Sequence, residues 1–366
     1  MRSLKLKQIS ILFAIINLFT ACSTASLAQI EKTRDDYNQS LANSEDAQFL
    51  LNIVRVHYGY SPYFVGVDSV TSQSTLKGGF DNVENRVFQT PNATSGAPFW
   101  SLSPGVSYSI SPVVTYSPVQ GSKFVSALLS PIDIHKLFVL GRSLGISNVL
   151  RIAVDQIGFL DNASSIKTIN SKKLPDYQEF NTFANMVEDM IENDDINLEM
   201  TSYKDKPAIL LYMNTPIAAE KMATSLHLKQ PYKTVLFTMF VLKHDNEEEN
   251  VVHIQTRSYF NILQFLSNGV DTSESDNLRY GINNKFISPT GGTANTNDLT
   301  TNLLKVQVSD KKPDNALLKI NYQNKWYYIP DNDSYSKSTL VMLRLVYSLL
   351  VGEYQPNLPI LTIPVK

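Results

Sequence analysis

One cysteine, five histidines and a few acidic runs are the residues of this 366-residue chain with chemistry to offer, and their spacing limits what they can do. Cys22 stands alone, which excludes a CxxC redox pair and a cysteine-ligated zinc site. His57, His135, His227, His244 and His253 are widely separated, and none lies three or four residues from another, so no helix turn presents a pair of zinc ligands. His253 alternates with Val252 and Ile254, the setting of a structural histidine on a strand. The phosphate loop GxxxxGK[ST], the dinucleotide fingerprint GxGxxG and the zinc pattern HExxH are missing from the chain.

The acids give no sharper signal. His244 to Asn250 gathers one Asp and three Glu but lacks the glycine and spacing of a calcium loop, and reads as a solvated hairpin tip between two strands. Asp331-Asn332-Asp333-Ser334 precedes a predicted helix and reads as its cap. Glu188, Asp189, Asp194 and Asp195 fall around the end of an amphipathic helix striped by Phe180, Phe183, Val187, Met190 and Ile191, and read as its solvated side. No cofactor and no metal site is expected.

The elements that would position these residues can be read from periodicity. Phe49, Leu50, Ile53 and Val54 recur at helical spacing in a helix opening at Asn43 or Ser44 and stopped by Gly59. A loosely alternating strand, YFVGVDSVTSQSTL, precedes the clearest strand signal, SLSPGVSYSISPVVTYSP. There Val106, Tyr108, Ile110, Val114 and Tyr116 share one face, and Ser107, Ser109, Ser111, Thr115 and Ser117 the other. Pro112 is in phase with the apolar set, which implies an edge strand or one broken by a bulge. Transmembrane barrel strands alternate in the same way, but a barrel needs about eight strands and only one or two are countable, so a half-buried edge strand is expected.

A helical block follows from Gly121 to Asn162. Ser130-Pro131 starts one helix, and Ser147 opens another carrying Val149, Leu150, Ala153, Val154 and Ile157. The second half reads as three strand–strand–helix units, ending in helices over Thr215–Leu228, Tyr259–Asn268 and Ser336–Val351, with a closing strand LPILTIPV. The expected class is α+β, with mixed or antiparallel sheets and helices packed on one face. The polar stretch 164–175 divides an N-terminal lobe, 43–163, from a C-terminal lobe, 176–366.

The N-terminus supplies the one specific signal. Arg2, Lys5 and Lys7, with no acid before Cys22, lead into the apolar run Ile9 to Phe19, a positive n-region followed by an h-region. Eleven helical residues at ~1.5 Å each cannot cross ~30 Å of hydrocarbon, so a spanning anchor is not expected. Two cleavage sites fit: after Ala28, leaving Gln29 first, or before Cys22. The stretch Leu18-Phe19-Thr20-Ala21-Cys22 resembles the lipobox of bacterial lipoproteins, a resemblance confined to residues 1–25. It implies a signal peptide over 1–21, a lipid anchor and tether over 22–42, and a diacylglyceryl thioether on Cys22. Ser23 in place of Asp implies sorting to the outer membrane of a Gram-negative envelope, with the body facing the periplasm.

Loss of residues 1–21 takes the formal charge from −2 to −5, since three cations and no acid leave, which argues against nucleic acid as a partner. The chain is 43% hydrophobic and only 18% charged, below the ~25% usual in soluble domains, a composition suited to packing against neighbours or membrane. The expectation is a noncatalytic structural or assembly subunit of an envelope complex, with Tyr108, Tyr116, Trp326, Tyr327 and Tyr328 as its candidate interaction surface. The alternatives are an envelope hydrolase working through two distant carboxylates in an acid-lined groove, and a carrier of an apolar ligand with an internal cavity lined by Phe and Met.

Overall fold

The computed structural model describes residues 35–81, 103–164, 177–239, 248–282, 285–287 and 293–352, with 68–81, 103–113, 274–275, 285–287 and 293–294 described by backbone alone. Cys22 and the closing segment LPILTIPV lie outside the described residues. The chain divides into two compact units, residues 63–120 and the remainder.

In the larger unit, helix α1 (35–57) buries Phe49, Leu50, Ile53 and Val54. It is already helical at 35, well before Asn43, because residues 35–40 are almost all exposed and carry no apolar stripe for periodicity to register. Its end is a left-handed cap: Gly59 has φ 78°, and the amide of Tyr60 donates to Arg55 O at 2.8 Å, a closure that glycine adopts without a Cβ penalty.

Helices α2 (Ser122–Leu129), α3 (Ile134–Leu144) and α4 (Ile146–Ala153) follow, and the chain then enters β3 (Val154–Ile157) and β4 (Leu160–Asp161). The expected helix from Ser147 therefore stops earlier: Val154 and Ile157 are strand residues, and apolar positions three apart serve a buried strand as well as a helix. Next come α5 (Gln178–Glu192), β5 (Ile196–Tyr203), β6 (Lys206–Met213), α6 (Pro216–Ser225), β7 (Thr234–Met239), β8 (Val251–Thr256) and α7 (Tyr259–Ser267).

These strands form one six-stranded sheet in the order β4-β3-β8-β7-β6-β5. Ile134, Leu137 and Phe138 of α3, Val149 of α4 and Phe183 and Val187 of α5 meet Ile209, Leu211, Phe237 and Ile254 across one of its faces. The fold is α+β. Residues 164–175 are not a lobe boundary, because β3 and β4 before them and β5 to β8 after them share this sheet. The sheet is antiparallel except for β7–β8, which pair in parallel from Leu236↔Val251 to Met239↔Ile254. The acidic run therefore cannot be a hairpin tip, since parallel neighbours need a connection that returns the length of the strand. Of that run, residues 244–247 lie outside the described residues.

The third repeat-like unit stands apart from this sheet. After α8 (Glu274–Tyr280), β9 (Lys285–Ile287), β10 (Thr293–Asn295) and a 3-10 turn (Thr296–Thr300), strands β11 (Gln307–Ser309), β12 (Ala316–Tyr322) and β13 (Lys325–Pro330) form a three-stranded sheet ordered β11-β13-β12. It precedes α9 (Ser334–Gly352), and Asp333 caps that helix as expected, its carboxylate accepting the Ser336 amide at 3.0 Å and the Ser336 hydroxyl at 2.6 Å.

The larger unit is pinned by a buried cation. Arg257, between β8 and α7, donates Nε to Asp155 at 2.7 Å, Nη1 to the carbonyls of Arg151 and Ile152, and Nη2 to Asn162 O, while its guanidinium lies 3.9 Å from the Phe265 ring centroid. Burial pushes its pKa down to about 10 against the opposing pull of Asp155, which leaves it charged at neutral pH. One side chain thus ties the α4–β3–β4 junction to the start of α7.

Candidate functional site

The smaller unit is built from two long strands, β1 (Phe64–Asp81) and β2 (Ser103–Val119), paired antiparallel into a ribbon; no third strand joins them among the described residues. Directly opposed residues of an antiparallel pair share a face, so the register sorts the sequence. The pairs Val67↔Tyr116, Val70↔Val114, Leu76↔Tyr108 and Phe80↔Pro104 fall on one face, and Thr71↔Val113, Gln73↔Ser111, Thr75↔Ser109 and Lys77↔Ser107 on the other. The register shifts between Val67 and Ser69, and this irregularity keeps Val67 and Val70 on the same face although they are three positions apart. Pro112 pairs with Ser72 in a strand without a bulge; β2 is an edge strand among the described residues, and the register shift lies in β1.

The sequence-derived surface residues separate. Tyr108 and Tyr116 lie on the apolar face of the ribbon, where Tyr116 is 56% exposed. Trp326, Tyr327 and Tyr328 lie on β13, the middle strand of its sheet, so they form no strand edge. Tyr327 is 1% exposed, and its hydroxyl shares a 2.5 Å hydrogen bond with that of Tyr58. Around Tyr58 stand Tyr280, at a centroid distance of 4.8 Å, and Tyr322 at 6.0 Å, with the ion pair Lys325–Asp276 at 3.0 Å nearby. The cluster binds α1, α8 and the three-stranded sheet together, and burial pushes the Tyr58 phenol far above its ordinary range. An aromatic-rich strand and a core strand look alike in sequence, so Tyr327 belongs to the core; Trp326 and Tyr328 are half-buried beside it.

The remaining polar groups serve the fold. His57 is buried, with Nδ1–H donated to Ser267 O at 2.7 Å, and desolvation pushes its pKa down to about 4. His135 places Nε2 between the carbonyls of Thr201 at 2.9 Å and Ala208 at 3.0 Å. No cluster of three metal-binding side chains occurs among the described residues. Gly141-Arg142-Ser143-Leu144-Gly145 satisfies the spacing GxSxG of a nucleophile elbow. A nucleophile elbow needs a strand-to-helix turn, whereas Ser143 is exposed in the last turn of α3 with its hydroxyl donated to Val139 O at 3.3 Å.

Two cavities among the described residues of the larger unit bear on these readings. One, under α3, α4 and α5, is about 60 Å³ and lined by aliphatic residues with Phe138, Phe183 and Phe237. It is less than half the ~150 Å³ that accommodates benzene in an engineered core, and too small for an acyl chain. The other is a polar cleft of about 370 Å³ beside the 3-10 turn and the start of α9. Its carboxylates are already engaged: Asp333 caps α9, and Asp298 accepts the Asn295 amide at 3.2 Å in a capping box. Neither cavity brings together two free carboxylates.

Compared with protein-family models, curated proteins and solved structures, the chain matches none.

Proposed function

We propose that this is a lipoprotein of the Gram-negative outer membrane, acylated on Cys22, whose periplasm-facing body has a structural or assembly role in an envelope complex rather than a catalytic one. The observation that carries the reading is the ribbon: residues 63–120 form a compact unit of two strands that enter neither the six-stranded nor the three-stranded sheet. A long strand pair that joins no larger sheet offers its edges and faces to a second chain or surface. The use of His57, His135, Asp298 and Asp333 in internal hydrogen bonds supports the noncatalytic part. The lipobox resemblance of residues 18–22 supplies the anchor, and two or three acyl chains hold a protein on a bilayer where one does so only marginally.

In a Gram-negative host fed labelled palmitate, the wild-type chain should take up label and fractionate with the outer membrane, and Cys22→Ser should do neither. An unlabelled wild type, or normal attachment of Cys22→Ser, overturns the anchor. Crosslinking in intact cells should trap the protein in higher-mass species; recovery of monomer alone overturns the assembly role.

A further inference from the structure

We infer that the β1–β2 ribbon is a membrane-crossing hairpin, and that hairpins from several copies of this chain close a β-barrel through the outer membrane. The inference rests on the outer-membrane placement proposed above and adds what the ribbon does there.

The juxtaposition comes from the register. Between Val67↔Tyr116 and Phe80↔Pro104, one face of the ribbon holds Val, Leu, Ile, Pro, Tyr and Phe, interrupted only by Ser72, Ser74 and Gly78. The opposite face is Ser, Thr, Gln, Lys and Gly, with Val113 its one aliphatic residue. The ribbon's three charged residues avoid the apolar face: Lys77 and Asp81 fall on the polar one, and Asp68 sits at the register shift. A strand with lipid on one side and a water-filled lumen on the other needs this division.

Length agrees with the bilayer. From Tyr116 to Pro104 the strand rises about 40 Å at ~3.4 Å per residue, and at a tilt of about 40° that is about 30 Å along the membrane normal, enough for an outward apolar band of ~25 Å. Tyr116 and Phe80 mark the two ends of this stretch, where barrels carry aromatic girdles. At the end where side chains are described, Val67 and Tyr116 are both exposed.

Two strands cannot enter lipid alone, because each has an outer row of amide and carbonyl groups that hydrocarbon cannot satisfy. Closure removes those edges, and a barrel of eight strands takes about four such hairpins. Pro104, Pro112 and Pro118 share the apolar face; each adds an apolar ring and removes one ladder donor, so one neighbouring carbonyl per proline forgoes that bond. A single chain shows too few alternating strands for a barrel, and repetition by symmetry supplies the rest.

The test uses the full mature chain with Cys22→Ser, so that single cysteines can be placed along β2 and coupled to an environment-sensitive fluorophore. Vesicles of phosphatidylethanolamine and phosphatidylglycerol, with and without nitroxide-labelled lipid, serve as the membrane. Probes at 106, 108, 110 and 114 should shift to the blue and lose intensity to the nitroxide, and probes at 107, 109, 111 and 115 should do neither. Uniform emission, or alternation without nitroxide quenching, overturns the proposal, the latter by assigning the face to a protein partner. The chain should also raise planar-bilayer conductance, Ile110→Asp should abolish the rise and Ser109→Asp should retain it; loss or retention in both variants overturns the barrel. Palmitate labelling reads the anchor separately, so failure of either claim is visible without the other.

Discussion

The six-stranded sheet and the two-stranded ribbon handle a strand's exposed groups in opposite ways. In the sheet, β7 is paired on both edges, helices α3, α4 and α5 cover a face, and the deeply buried cation Arg257 has its ion pair and carbonyl partners within the same unit. In the ribbon, the longest strands of the described chain pair only with each other, and an apolar face without a charge ends at exposed Val67 and Tyr116. A region whose sheets and helices cover one another is a scaffold; an uncharged apolar ribbon face is, in the reading proposed above, built for a second surface. The division of labour assigned here follows from that difference.

The largest separation between the two regions should appear in stability. Asp155→Ala leaves Arg257 charged and buried, so it should cost about 3–5 kcal/mol, whereas Ile110→Asp in the ribbon should leave unfolding of the larger unit within about 0.5 kcal/mol of wild type. Urea unfolding followed by far-UV circular dichroism decides between them. Equal losses would mean that the ribbon is part of the scaffold.

A smaller effect concerns pH. The folded chain holds His57 neutral with a pKa near 4, and the unfolded chain titrates it near 6.5. Below pH 6.5 the unfolded state therefore binds a proton that the folded state refuses. The stability contributed by the neutral ring is full above pH 6.5 and falls by about 1.4 kcal/mol per unit towards pH 4, about 3 kcal/mol in all. His57→Gln should flatten that slope in urea titrations between pH 6.5 and 4. An unchanged slope would place the acid sensitivity elsewhere.

Much of the scaffold was legible in the sequence, because its helices carry full apolar stripes. The α5 stripe is buried at Phe180, Phe183, Val187 and Met190, and α7 spans Tyr259–Ser267, one residue short of its expected end. The hairpin of β5 and β6 turns at Lys204 and Asp205, both with positive φ, 49° and 61°, as a tight hairpin requires. Strand direction was not legible, since alternation is the same in parallel and antiparallel pairs, and so β7–β8 was misread. The partner of β2 was obscured by the register shift at Asp68, which breaks the alternation of β1 while restoring its face. The Tyr58–Tyr327 contact joins residues far apart in the chain, and nothing local announces it.

The most direct measurement is hydrogen–deuterium exchange of the full mature chain with and without vesicles of outer-membrane lipid composition. Amides of 64–81 and 103–119 should become strongly protected when vesicles are added, while those of β5 to β8 should keep the exchange rates they have in solution. Unchanged exchange in the ribbon, or protection appearing in the six-stranded sheet instead, would contradict the assignment of the ribbon as the membrane-engaging part.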